Sequence, residues 1–572
     1  MQPVFVIYLG RKFSFVLFFV LIAYINGLGQ ISVPGIPESF TLKTKSVPEI
    51  PVKQLEKIDT AGLRAFDVAN GIPNRYGVVE QMYVDIKKDG INTHIEGRGD
   101  IWRYKIKSPV TFSLGIYFTR FLLPPEASVF IYNEDHTSVM GAFTDMNENS
   151  DQVLAIGEFK GKTVIVEYFE PADPQFEGEL VIGSVSQAYN DIRSTLATRV
   201  GINCSEGANW QDHKHAICKM TFNDGLYAYT CTGFLVNNTR RDAIPYFMTA
   251  NHCISTSSEA RTLVTYFNFE NSTCTSSDAS AGQTLSGSTL KSTSQYSDFS
   301  LLLLNQYPPA SYKPFYAGWD ATGSAPTSGV CIHHPQGTPK CIAIDNNAPV
   351  SYAHVINWDN TYNSSPNTHW QTYFDVGNTE SGSSGSPLFD QNKRVVGQLH
   401  GGGDLDSYYG KFSLSWNYNS SSSAQLKYWL DPDVTGTLVM DGEYLIAKPK
   451  SAFSTAITSV CLDAPVQLTD KSQYVPSQWK WTISPSSYEF TQGTSSTSKN
   501  PVVLFKSDGI YSVSLYVANS NGADSLTKSN YISVNDFINV KMSGITADSL
   551  ICGCNLSKFP IVLTGAPDIP IA

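Results

Sequence analysis

Along most of the chain, short runs alternate apolar and polar residues and are broken by Pro and Gly, as in "DIWRYKIKS", "ASVFIYNED" and "KTVIVEYFEP". A period of two sends successive side chains to opposite faces of an extended backbone, so these runs predict strands with one buried face. They fill residues 30–200, and a second strand-rich stretch follows over 201–445. A third, 450–536, holds "PSQWKWTISP" and "GIYSVSLYVANSNGADSLTKSNYISV", period-two runs around a turn-forming "NSNG", and predicts a small sandwich. One of Trp479 and Trp481 is expected in its core. Residues 537–572, with "ICGCNLS", show no closing element and stay unassigned. The expected fold class is all-β, in several domains.

One apolar run breaks the pattern. Phe13–Ile25 follows Arg11 and Lys12 and precedes small and polar residues, which predicts a signal peptide over 1–29. The rival, an uncleaved anchor, needs roughly 20 apolar residues, and this run is shorter. No later stretch is long and apolar enough to span a bilayer, so the mature protein is expected outside the cytoplasm without a membrane span. Ten cysteines then read as disulfide material. None lies in 30–200, whereas seven fall between Cys204 and Cys341, which marks a domain boundary near 200. The net charge of -11, without clustered Lys and Arg, excludes a nucleic-acid partner.

The chemistry gathers in 201–445. "GSSGSP" sets Ser384 between Gly382 and Gly385, a turn tight enough to aim the amides of Gly382 and Ser384 at one point. Two such donors can hold an oxyanion, one being worth roughly 3–4 kcal/mol. A serine hydroxyl becomes nucleophilic only when a base takes its proton, and that base must be held in one tautomer. His252 ends the apolar run of "IPYFMTANHCI", and Asp298 directly precedes the strand in "YSDFSLLLLN". A carboxylate carried inward there is costly unless paired, and His252 could be its partner. Each alone is a weak signal, and the serine turn and His252 also fit bland readings, a glycine-serine loop and a core histidine.

Together "TANHC", "SDFSLLLL" and "GSSGSP" resemble the chymotrypsin-like serine peptidases. "CTGFLVNNT", "HHPQG", "GNTESGSSGSPLFDQNKRVVGQLHGG" and "YYGKFSLSW" resemble, more narrowly, the bacterial lysyl endopeptidases over about 201–445. The resemblance implies two β-barrels, a β-rich propeptide over 30–200, and a secreted, extracellular bacterial endopeptidase made as a zymogen. It implies His252 as general base, Asp298 as its orienting acid, Ser384 as nucleophile, and Gly382 with Ser384 as oxyanion hole. It implies disulfides Cys231–Cys253 and Cys204–Cys274, leaving Cys218, Cys331, Cys341, Cys461, Cys552 and Cys554 unassigned. The substrates are protein or peptide, and no cofactor or metal is expected. The 450–536 sandwich resembles the polycystic-kidney-disease type Ig-like domain, either a spacer or a contact to a surface or polymer.

Two departures matter. Many family members carry an aspartate just before the nucleophile that pairs with the newly cut N-terminus; here that position is Ser383. The family's specificity aspartate would fall on Ser407, with Asp406 one residue earlier and Asp404 two before that. Asp406 is expected to attract a basic side chain, lysine favoured and arginine open, with His400 in the pocket wall and Trp358 stacked on it. No lysine lies between Lys162 and Lys214, so a strictly lysine-specific enzyme could not cut "STLATRVGINC"; Arg193 and Arg199 are the basic residues there. His213 and His215 are expected solvated, and His333 and His334 in a turn. The competing function is an inactive peptidase-fold adhesin or binding protein, and a serine hydrolase of the G-x-S-x-G type is excluded by Ser386.

Overall fold

The structure, a computed structural model, describes residues 29–30, 35–42, 49–72, 74–191, 199–358, 362–403, 406–455, 457–472, 474, 476–519 and 521–535. The apolar run at Phe13–Ile25, Arg193, Asp404, Cys552 and Cys554 lie outside them. Among the described residues the regular structure is mostly β, as the period-two pattern predicts, with a few short helices such as Thr60–Ala69. No helix among the described residues is long and apolar enough to cross a membrane.

The N-terminal part is two packed sheets. One contains Arg75–Asp85, Ser113–Leu122, Leu154–Lys160 and Glu179–Ala188; the other contains Val52–Gln54, Gly99–Lys107, Ser128–Tyr132, Val139–Phe143 and Thr163–Pro171. Ile106, Leu114, Phe118, Phe121, Val166 and Val185 fill the space between them. Gly99–Lys107 alternates buried and half-buried residues from Gly99 to Tyr104, whereas Thr163–Pro171 is buried throughout its interior, on both faces.

Next come two antiparallel sheets. The first is built on Ile217–Asn223, Tyr227–Leu235, Tyr246–Ala250, Val264–Phe267 and Phe299–Leu304, the second on Gly329–His333, Cys341–Asp345, His369–Thr372, Pro387–Phe389, Val395–Gly402 and Ser407–Lys411. Phe234, Met248 and Leu301 from the first pack with Ile332, Phe389 and Val395 from the second in one shared core. That seam fixes the two sheets against each other, and the catalytic candidates sit along it. The N-terminal part joins this body as an added strand: Arg75–Asp85 pairs antiparallel with Tyr227–Leu235 (Tyr227 opposite Val78, Ala228 opposite Gly77), making one twelve-stranded sheet.

Phe453–Asn535 form a separate sandwich whose long hairpin pairs Gly509–Asn519 with Gly522–Asn535, Asn519 lying opposite Gly522. Trp481 is its core tryptophan, while Trp479 is half-buried and donates Nε1–H to Asp470 at 2.9 Å.

Cys231–Cys253 and Cys204–Cys274 are bonded, as the resemblance implies. Cys218, Cys331 and Cys341 are free and buried, and Cys461 is disulfide-bonded. His213 and His215 depart from the expected solvated pair. A short turn over His213–Ala216 folds them inward: His213 packs among Trp210, Phe315 and Phe389, burial pushes its pKa down to about 4, and His215 bonds Asn268 at 2.7 Å.

Candidate active site

His252 follows the strand Tyr246–Ala250, and Asp298 precedes Phe299–Leu304; these strands pair antiparallel, with Ala250 opposite Phe299. The pairing brings both residues to one end of the first sheet. Asp298 accepts twice from His252, from Nδ1–H at 2.9 Å and from the backbone N–H at 3.0 Å. The carboxylate is only 1% exposed, while the imidazole is 35% exposed. Asp298 has φ +55°, in the left-handed region that few non-glycine residues occupy and that Asp tolerates better than most. Burial alone would push its pKa up, but His400 and His252 hold it below the ordinary value. Burial likewise disfavours the His252 imidazolium, yet Asp298 outweighs this and its pKa is raised.

Ser384 lies across the seam, in a turn shaped by Gly382 (φ +86°) and Gly385 (φ +83°). Both must be glycine for space as well. A Cβ on Gly385 would stand 2.2 Å from Thr249 Oγ1 and 2.5 Å from the Thr232 carbonyl, and one on Gly382 2.9 Å from the Gln336 nitrogen. Thr232 ties the turn to the first sheet: its N–H donates to the Ser384 carbonyl and its hydroxyl to the Gly382 carbonyl, each at 2.9 Å. Among the described residues the amides of Gly382 and Ser384 donate to no acceptor. Ser383, buried beside them, bonds His333 Nδ1 at 2.7 Å, and its hydroxyl accepts from the Glu380 N–H at 3.1 Å.

Behind the pair stands a stack. Trp358 lies on His400 (3.7 Å between centroids, 20° between planes), and His400 lies near-parallel to His252 at 5.5 Å. Gly401 makes room for it, since a Cβ there would meet the Trp358 ring at 2.8 Å. His400 bonds His369 at 3.0 Å and lies 3.7 Å from Asp298, and burial pushes its pKa down to about 3.

A family model described as "Lysyl endopeptidase, C-terminal domain" matches residues 194–411. That region holds every residue named in this site. A curated lysyl endopeptidase of Pseudomonas aeruginosa is 28% identical over 260 residues, 44% of this chain and 52% of that protein. The chain thus spans about half the length of the curated relative it matches. Among solved structures, protease Anisep of Arthrobacter nicotinovorans shows 16% identity over 34% of this chain and 90% of that chain, TM-score 0.26. A Glu endopeptidase in complex with MPD shows 16% identity over 39% of this chain and 93% of that chain, TM-score 0.25. At these TM-scores the two likenesses bear on neither the fold nor the site.

Within the residues that the family model matches, Asp406 closes the hairpin between Val395–Gly402 and Ser407–Lys411. Its carboxylate accepts from Tyr408 OH at 2.6 Å, Gln371 Nε2 at 2.9 Å and the Gly403 N–H at 3.2 Å, which hold its pKa below the ordinary value against the opposing effect of burial. Ser407, fully buried, points the other way along the strand, and its hydroxyl meets Thr379 Oγ1 at 2.7 Å. His369, the His333–Ser383 bond, Thr379 and Glu380 were not expected from the sequence. The Trp358–His400 stack was expected, His400 through the family resemblance; no spacing rule links the others to the serine.

Proposed function

We propose that the chain is a secreted serine endopeptidase, made as a zymogen, that cleaves after basic residues with lysine favoured. The observation that carries this reading is the bonded His252–Asp298 pair, with a glycine turn packed on Thr249 and Ala250 just ahead of His252 whose two amides have no acceptor among the described residues. Ser384 Oγ attacks the scissile carbonyl carbon and passes its proton to His252 Nε2, and the oxyanion accepts from the Gly382 and Ser384 amides. The tetrahedral adduct then expels the amine, which takes the proton from His252, and water, activated by the same imidazole, hydrolyses the acyl-enzyme. Among the described residues Ser384 Oγ makes no hydrogen bond to His252, whose Nε2 lies 3.8 Å from Cys253 Sγ. Such contacts commonly close only with substrate bound.

Asp406 is the carboxylate proposed to meet the substrate's cation; Tyr408 and Gln371 keep it ionised and oriented. A second reading is favoured by the Ser407–Thr379 bond, which lines the opposite face of that strand with hydroxyls and suits an uncharged side chain. The sandwich at Phe453–Asn535 is proposed as a PKD-like module that contacts a surface or polymer.

The test is a digest of a denatured protein of known sequence, read by mass spectrometry, with Ser384→Ala as control. The wild type is expected to cut after Lys, with Arg accepted or not, and Asp406→Asn to lose about 10-fold or more in kcat/KM on Lys sites, the scale of one buried charge contact. Cuts after uncharged residues, unchanged in Asp406→Asn, would favour the hydroxyl-lined pocket. A wild type no better than Ser384→Ala would leave the binding-protein reading standing.

A further inference from the structure

The residue just before Ser384 is the neutral Ser383. The charge on this loop stands instead at Glu380, and its partner comes from the far end of the region. Arg199 donates through Nε to Glu380 Oε1 at 2.6 Å and through Nη2 to Oε2 at 2.5 Å, a bidentate pair, and through Nη1 to Thr338 Oγ1 at 3.3 Å. Gln336 adds a third donor to Glu380 at 2.9 Å, and its own N–H donates to the Ser381 carbonyl at 2.6 Å. The Arg199 side chain is 6% exposed and that of Glu380 32%. A guanidinium fork out of water fixes both position and orientation of a carboxylate, which a surface ion pair does not.

The next three residues of the chain hold Arg199 in place in turn. The Val200 carbonyl accepts from the Ile342 N–H at 2.9 Å, Gly201 bridges Cys341, and the Ile202 N–H donates to the Lys340 carbonyl at 3.1 Å. Residues 200–202 are thus registered on a strand of the second sheet, and the guanidinium is delivered to Glu380 by that register. Cleavage after Arg199 would require this buried side chain to enter the active site as the residue before the scissile bond. It would also leave Glu380 without its cation.

We propose that Arg199, through its bidentate pair with Glu380, is a positioning residue for the Gly382–Ser384 turn and is retained at the N-terminal end of the active enzyme. The inference rests on the serine endopeptidase reading and moves the maturation cut upstream of Arg199. It assigns the two basic residues at the junction different roles. Arg199 is structural to the active site, and the cut that frees the enzyme falls before it.

The test uses the full chain, matured, in two measurements. N-terminal sequencing and intact mass of the active wild type should place its first residue at or before Arg199; a fully active enzyme beginning at Val200 or later overturns the proposal. In parallel, Arg199→Met and Glu380→Gln should lower kcat on a small ester substrate by about 100-fold, the cost of misplacing reacting groups by about 1 Å. KM should stay within about twofold, since binding of the substrate side chain is untouched. Arg199→Lys should recover part of kcat and Arg199→Met none, a rescue that a general loss of folding would not show. Wild-type kcat in Glu380→Gln, or a loss confined to KM, overturns the proposal while leaving the endopeptidase reading intact. A wild type that cuts nothing overturns both.

Discussion

At the scale of single residues, one proton governs the proposed chemistry. His252 must be neutral to accept it from Ser384, so activity falls as pH drops through the His252 pKa. Burial lowers that pKa, the Asp298 carboxylate raises it more, and the net shift is upward from the ordinary imidazole value of 6.5. The acid limb of kcat/KM should therefore have its midpoint above 6.5. It should also be a single limb, since His400 and His369, held down to about 3 and about 4 by burial, change charge only far below it. Asp298→Asn removes the cause of the upward shift and the acceptor that fixes the tautomer. Its limb should move to lower pH while kcat falls by about 10,000-fold, the usual cost of the wrong tautomer. A pH–rate profile of both enzymes checks this, and a variant limb at or above that of the wild type would remove Asp298 from the role. The pair could be read in the sequence because each residue borders an apolar strand, where an acid or a histidine is out of place without a partner. The His369–His400 bond could not, because a histidine inside a β pattern looks the same whether it is core or part of a network.

Elements decide whether those residues meet. The Gly382–Gly385 turn works because both glycines adopt a positive φ while neighbouring chain closes on them from two sides. Gly385→Ala would drive a methyl into Thr249 Oγ1 and the Thr232 carbonyl, in strands that lead to Cys231 and His252. A destabilisation of about 1–3 kcal/mol is expected from overpacking alone, with backbone strain adding about 1–3 kcal/mol. Thermal unfolding should register it, and titration of the active serine should show a lost or slowed burst. Gly436 is the matched control: its φ is +78° but nothing lies within 4 Å of where an alanine methyl would stand, so Gly436→Ala should bear the strain alone and keep full activity. The turn was legible because glycines around a serine have few other uses. Its supports were not, since Thr232 is 150 residues from Gly382 in sequence and Arg199 is 181 from Glu380. Only the packed sheets reveal such pairs. The solvated reading of His213 and His215 failed for a related reason, because a polar stretch gave no sign of the aromatic cluster that receives His213.

For the whole molecule, the question is what the N-terminal part does to the enzyme while attached. Its strand Arg75–Asp85 lies on the strand Tyr227–Leu235, with the Thr230 N–H donating to the Asn74 carbonyl at 2.9 Å. Two residues on, the Thr232 N–H holds the Ser384 carbonyl. The join is apolar as well as hydrogen-bonded: Tyr76, Val79 and Ala188 pack on Ala228, and Ala155 packs on Val264, Tyr266 and Phe269. Among the described residues, no hydrogen bond links 35–191 to His252, Asp298, Ser384 or Asp406. A silencing role for this part would therefore act through an occupied edge strand two residues from the Thr232–Ser384 bond, with no lid across the cleft needed. Loss of this part exposes the strand edge and both apolar patches, a state prone to misfolding and to pairing with other chains. The region from 199 onward, refolded alone, should regain little activity and aggregate, and adding residues 35–191 in trans should raise the yield. Once the enzyme is mature, the same fragment should bind and inhibit it, because the paired strand returns to the edge it left. Refolding yield and inhibition are read with one ester assay. Full activity without the fragment, together with no inhibition by it, would reduce the N-terminal part to a passenger.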